Sequence, residues 1–198
     1  MTYHSVIRGV AAGLLVLGAA AGAHAGPATD RLKPEIERVL AVMENPALRG
    51  EAKTQERRQA IRAVTDGVFD WTEMARRSLG RHWNARTPAE QQEFVGLFRD
   101  LLERAYVAKI EKYSGEKLAY AGETADGDQA TVRTRVQTKP GQEVAIDYRM
   151  SRQGGRWMIT DVLVENISLV GNYRTQFDGI IKTSSFEELV KKIRTRTS

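Results

Sequence analysis

The stretch from Thr87 to Tyr113 constrains this chain more than any other. Thr87, Pro88 in the first helical position and Glu90 three residues after the threonine satisfy or excuse the free amides of a helix start. Beyond them Phe94, Leu97, Phe98, Leu101, Leu102, Ala105, Tyr106 and Ile110 recur at steps of three and four. Gln91, Gln92, Glu93, Arg99, Asp100, Glu103, Arg104 and Lys109 fill the opposite side. Such a helix runs about 39 Å, so its apolar face needs a cover almost as long from elsewhere in the chain.

The first residues read as a targeting signal. Arg8 is the only charged residue before an apolar, small-residue run from Val10 to Ala23, and Ala23-His24-Ala25 ends it in a small-x-small cleavage pattern. The expected division is a signal peptide over residues 1–25 and one domain over residues 26–198, beginning at Gly26. The apolar run is shorter than a spanning helix requires, and nothing later approaches that length, so the expected product is soluble and exported.

Cleavage there leaves 173 residues and removes one arginine, taking the formal charge from +5 to +4. That length suits one domain with a single sizeable core. The absence of cysteine excludes a disulfide scaffold and thiolate chemistry. Export, and basic residues interleaved with acids along helices, argue against nucleic acid as a partner. The mild positive charge is either an ordinary solvated surface or a face that meets anionic lipid headgroups.

Taken in order, Asp30 can cap a helix carrying Leu32, Ile36, Val39, Leu40 and Met43, with Pro34 in its first turn and Asn45-Pro46 at its end. A second helix covers Gln55 to Asp66. Asp70, with Glu73 in the reciprocal position, opens a third that Gly80 stops. After the long helix the period changes from 3.6 to 2. Strands are expected over Lys117–Ala121, Gln129–Gln137, Gln142–Arg152 and Arg156–Glu165, joined by Asp126-Gly127-Asp128, Lys139-Pro140-Gly141 and Gly154-Gly155. Val132, Thr134 and Val136 share one face with Val144, Ile146, Tyr148 and Met150, but both faces of the fourth strand carry apolar residues. The chain returns to helix with the stripe Val170, Tyr173, Phe177, Ile180 and Ile181, then a last helix capped by Ser184 and Glu187. The fold class expected is α+β: a curved four-stranded antiparallel sheet with helices packed over its dry face.

Chemistry is sparse. After cleavage the only histidine is His82, in an Arg-His-Trp turn with no nucleophile pattern beside it. No metal-ligand spacing and no phosphate-cradling glycine motif is present, and no cofactor is expected. The long helix, the dry sheet face and the terminal helices all supply apolar stripes. A stripe does not reveal whether the space it faces is filled by protein or by a guest.

From Phe69 the sequence reads Phe69-Asp70-Trp71-Thr72-Glu73-Met74-Ala75-Arg76-Arg77-Ser78-Leu79-Gly80, then Trp83, then Thr87-Pro88-Ala89-Glu90-Gln91-Gln92-Glu93-Phe94. With Trp157, Asp161-Val162 and Ile167-Ser168-Leu169-Val170-Gly171-Asn172-Tyr173-Arg174-Thr175-Gln176-Phe177, this closely resembles the MlaC family of periplasmic phospholipid carriers, also called toluene-tolerance proteins. The likeness covers nearly all of the chain after the signal peptide. Trp71 stands where phenylalanine or tyrosine would be expected.

The resemblance implies a helix-and-sheet shell enclosing an apolar cavity for acyl chains, with the headgroup near its mouth. It also implies a non-enzymatic, monomeric shuttle in the periplasm that maintains outer-membrane lipid asymmetry. Its implied partners are phospholipid, an outer-membrane lipoprotein associated with porin, and an inner-membrane ABC transporter with an MCE-domain subunit. The cavity wall expected on this basis comprises Phe98, Leu102 and Tyr106, Ile146 and Tyr148, and Tyr173, Phe177 and Ile181. Arg76, Arg77 and Arg81 are candidates to face the headgroup or a partner, a solvated helix face being the plainer reading. The rival from another class is a small exported enzyme using Asp147 or Asp161 as a general base in an apolar pocket.

Overall fold

A computed structural model describes residues 26–110, 115–138 and 141–197. The expected signal peptide, Tyr113, Ser114 and the Lys139-Pro140 part of one turn lie outside the described residues. The chain runs α1 (Pro27–Glu44), α2 (Thr54–Thr65), α3 (Trp71–Leu79), α4 (Pro88–Ile110), β1 (Lys117–Asp126), β2 (Gln129–Gln137), β3 (Glu143–Gln153), β4 (Arg156–Val164), β5 (Ile167–Ser168), α5 (Leu169–Thr183) and α6 (Phe186–Thr197). Short 3₁₀ turns at Pro46–Leu48, Glu51–Lys53 and Gly80–Ala85 connect the helices.

The local start signals act largely as written. Thr87 Oγ1 accepts the Glu90 amide at 3.3 Å, while Glu90 accepts the Thr87 amide at 2.7 Å, the reciprocal box that opens α4. Asp70 accepts the Glu73 amide at 2.9 Å to open α3, and Gly80 ends that helix at a φ of +55°, where a side chain would be strained. Glu73 itself turns away to pair with Arg76 and Arg77.

Two caps differ from expectation. Helix α1 begins at Pro27, not at Asp30, so Pro34 lies inside it. The cap comes from across the fold: Glu123 on β1 accepts the Ala28 amide at 3.3 Å and the Thr29 amide at 2.7 Å. At the other end of the chain Ser184 terminates α5, and Ser185 caps α6 by accepting the Glu188 amide at 3.2 Å.

The sheet has five strands rather than four, in the order β1-β2-β3-β4-β5, and every pairing is antiparallel. The extra strand is only Ile167–Ser168, too short to show alternation, and it lies between the expected fourth strand and the helical stripe that begins at Val170. It folds back through Glu165 and Asn166, with φ of +50° and +63°, the left-handed pair a tight hairpin needs.

Two bulges govern which residues face inward. One at Ala121 shifts the phase of β1, so Leu118 and Tyr120 share their face with Glu123 and Ala125. The other, at Thr160, does the same in β4 and places Trp157, Ile159, Val162 and Val164 together. That resolves the two-faced pattern of the fourth strand: Asp161 and Leu163 point the other way and are buried there as well.

Apolar residues gather in two bodies. One is helical: Met74 and Leu79 of α3, Phe94, Phe98 and Leu102 of α4, Tyr173 and Phe177 of α5, and Phe186 and Leu189 of α6. The other joins Ala28 and Leu32 of α1 to Val132, Met150, Ile159 and Val162 of the sheet. Phe69 packs against both. The helices are therefore not one layer over the dry face. Helix α1 lies on the sheet, α4 packs chiefly on α3 and α6, and α5 docks on β4.

Candidate functional site

The eight residues expected to line a cavity divide between these two bodies. Phe98, Tyr173 and Phe177 form an aromatic knot, with Phe98 edge-on to Tyr173 at 5.5 Å and to Phe177 at 5.9 Å between ring centres. Phe94 and Phe186 extend the knot. Phe98 is 0% exposed, and Leu102 is buried beside it. Tyr106 and Ile181 sit half-buried at the border of this body. Ile146 and Tyr148 belong to the sheet side, also half-buried.

The sheet face has a distinctive pattern of cover. Register places Leu118, Val136 and Val144 in one row, Tyr120, Thr134, Ile146 and Val164 in the next, and Val132, Tyr148 and Val162 in a third. Toward Met150 and Ile159 the face is closed, whereas Leu118, Val136, Val144, Ile146, Tyr148 and Val164 all keep accessible surface. Above this region α1 carries Ile36, Val39, Leu40 and Met43, again only half-buried. Part of the surface of Tyr148 is accessible, yet burial, with Tyr120 adding to it, pushes its phenol far above the usual tyrosine range.

The basic residues are held by carboxylates. Arg76 and Arg77 reach Glu73 at 2.6 and 2.5 Å, and Arg81 reaches Asp178 at 2.7 Å. Asp178 also takes Lys182 at 2.7 Å and His82 at 2.9 Å. Lys182, His82 and Arg81 together hold its carboxyl well below the ordinary carboxylate range. Beside it lies an open depression of about 360 Å³ lined by Leu79, Gly80, Arg81, Arg174, Thr175 and Asp178.

Both aspartates of the enzyme reading are engaged. Asp161 accepts from Ser168 Oγ at 2.6 Å and from the Val170 amide at 3.1 Å, with Arg149 at 3.4 Å, and so fixes the start of α5. Asp147 lies 3.4 Å from Arg135 on the opposite sheet face from Tyr148. Among the described residues no group of three or more His, Cys, Asp or Glu is placed to hold a metal ion, and no helix is long and apolar enough to cross a membrane.

Sequence reading missed Tyr120 and Glu123 on this face. The Leu118–Tyr120 alternation was available for the tyrosine. Nothing local marks Glu123, because its inward position depends on the Ala121 bulge.

Fold and site together define an α+β protein whose five-stranded sheet keeps part of its apolar face only half-buried beneath α1. Within that class the chain belongs to the MlaC protein family, whose sequence profile matches residues 33–195. It is 22% identical over 125 residues to the intermembrane phospholipid transport system binding protein MlaC of Haemophilus influenzae, covering 61% of this chain and 58% of that protein. It is 27% identical over 92 residues to toluene tolerance protein ttg2D of Pseudomonas putida, covering 46% of this chain and 43% of that one. The matched segments thus span about half the length of these two relatives. A phospholipid-binding protein from Ralstonia solanacearum, solved in complex with a phospholipid, superposes with a TM-score of 0.78 at 26% identity, covering 87% of this chain and 97% of the other.

Proposed function

We propose that this chain is a periplasmic carrier that shelters the acyl chains of a phospholipid and moves it between outer and inner membrane, without catalysis. The observation that carries this reading is Tyr148. It keeps accessible surface on a sheet face where Ile146, Val144, Val136 and Val164 are half-open in the same way, and an apolar face left half-open suits an apolar guest. The phospholipid held by the Ralstonia solanacearum protein supports it, as does the transport role in the name of the Haemophilus influenzae relative.

The energetics suit a shuttle. Two acyl chains hold about 30 methylenes, whose removal from water is worth ~24 kcal/mol. A bilayer offers the same, so exchange between the two is near neutral overall and needs no chemical step in the carrier. The barrier lies in wetting the chains midway, which is why docking to partners at each membrane belongs to the reading: the porin-associated lipoprotein on one side, the MCE-domain subunit of an ABC transporter on the other.

On this reading the half-buried residues Tyr106, Ile146, Tyr148 and Ile181 meet the lipid, while Phe98, Leu102, Tyr173 and Phe177 back Tyr106 and Ile181. Arg76, Arg77 and Arg81 give the α3 side a positive surface for anionic headgroups. Residues 1–25 are the export signal. Purification from the periplasm followed by organic extraction and lipid mass spectrometry tests this directly. Stoichiometric phospholipid is expected; protein that emerges empty and takes up nothing from liposomes would overturn it.

A further inference from the structure

Tyr120 stands on β1 opposite Thr134, in the row that continues through Ile146 to Val164. Its ring packs against the sheet-side core, and its hydroxyl oxygen is fully covered but has no hydrogen-bond partner. Buried hydroxyls without a partner are rare, and each asks for an explanation. Thr134, directly opposite, spends its own proton on the carbonyl of Ile146 at 2.7 Å. The phenol is a donor under any physiological condition, since burial first and then Glu37 of α1 push its pKa up to about 12.

Resting on the carrier reading above, we propose that the Tyr120 hydroxyl, with Tyr148 beside it, donates a hydrogen bond to an acceptor oxygen at the polar end of the bound phospholipid. That oxygen is an ester carbonyl or a phosphate oxygen, and the bond fixes how far the chains descend. The position suits the task. Tyr120 lies at the boundary between the closed part of the sheet face and the half-open rows of Val136, Val144 and Ile146. Helix α1 passes over this region, anchored at its amino end by Glu123 while its far half from Ile36 to Met43 is only half-buried. A small outward shift of that half would bring a lipid oxygen within reach.

The removal of one oxygen atom, Tyr120→Phe, separates this from a purely structural role because the two readouts move in opposite directions. In delipidated protein the unpaired group disappears, so the urea midpoint should hold or rise. Loaded with dioleoyl phosphatidylglycerol, the variant should hand lipid to acceptor vesicles about fivefold faster than wild type. Two further probes identify the acceptor. If the dialkyl ether analogue, which lacks the carbonyls, shows no difference between wild type and variant, the acceptor is the ester; if dioleoylglycerol, which lacks the phosphate, shows none, it is the phosphate. Wild type that holds phosphatidylglycerol, with a variant that holds it equally well, overturns this assignment alone. Wild type that takes up no lipid overturns the carrier reading and this assignment together. A variant whose emptied form loses stability shows the hydroxyl to be partnered within the chain, which also overturns it.

Discussion

The carboxylate of Glu123 closes the amino end of α1 by accepting both the amide and the hydroxyl of Thr29, each at 2.7 Å. A strand thus caps a helix more than ninety residues away in sequence, and the negative charge sits where the helix dipole is positive. Replacing Glu123 with Ala should lower the unfolding free energy by about 1–2 kcal/mol, read from urea denaturation. It should also loosen α1, seen as faster amide exchange at Thr29 and Leu32. Unchanged exchange there would show that the helix start is held by something else.

Phe98 and Ile146 should respond oppositely to truncation. Phe98 is sealed between Phe94, Tyr173 and Phe177, so Phe98→Ala should cost about 3–5 kcal/mol and reduce the yield of folded protein. Ile146 faces the half-open region of the sheet, so Ile146→Ala should cost about 1–2 kcal/mol while speeding lipid release measurably. Equal stability losses at the two positions would contradict the distinction between core and wall.

Asp161 ties β4 to the beginning of α5 through Ser168 and Val170. Its replacement by Ala strands a buried amide and hydroxyl and should destabilise the fold by about 2–4 kcal/mol, whereas Asn, which still accepts from Val170, should lose less. Calorimetric melting of the two variants checks the order.

Arg76, Arg77 and Arg81 lie on and just after α3, each already paired with a carboxylate. Reversing all three to Glu should slow transfer to and from vesicles rich in phosphatidylglycerol, and the difference from wild type should shrink as salt rises through the range that screens surface charge. An unchanged transfer rate at low salt would return these residues to the role of an ordinary solvated face.

Among the carboxylates held below their usual range by cationic partners are Glu73, by Arg76 and then Arg77, Asp178, by Lys182, His82 and Arg81, and Glu35, where burial pushes upward but Arg31 and Arg38 together outweigh it. A depressed carboxylate contributes stability that is fully present above its unfolded value, near ~4, and lost as pH falls through its folded value. The urea midpoint should therefore be level from about pH 7 to pH 5 and fall below about pH 4. A midpoint that rises on acidification would contradict these pairings.

What the sequence alone determined was whatever depends on neighbours in the chain. The box at Thr87 and Glu90, the Asp70 cap, the glycine stop at Gly80 and the alternation in β2 and β3 are all enforced by groups within a few residues of one another. The tertiary structure decided what depends on phase and distance. One extra residue at Ala121 turned Glu123 inward to cap α1, and one at Thr160 brought Ile159 and Val162 onto a common face; an alternating pattern cannot reveal such a slip, because each half of the strand still alternates correctly. The same holds for the expected cavity wall. Phe98 and Tyr148 are both large aromatics on apolar stripes, and only the packing of distant helices sealed the first while leaving the second partly open.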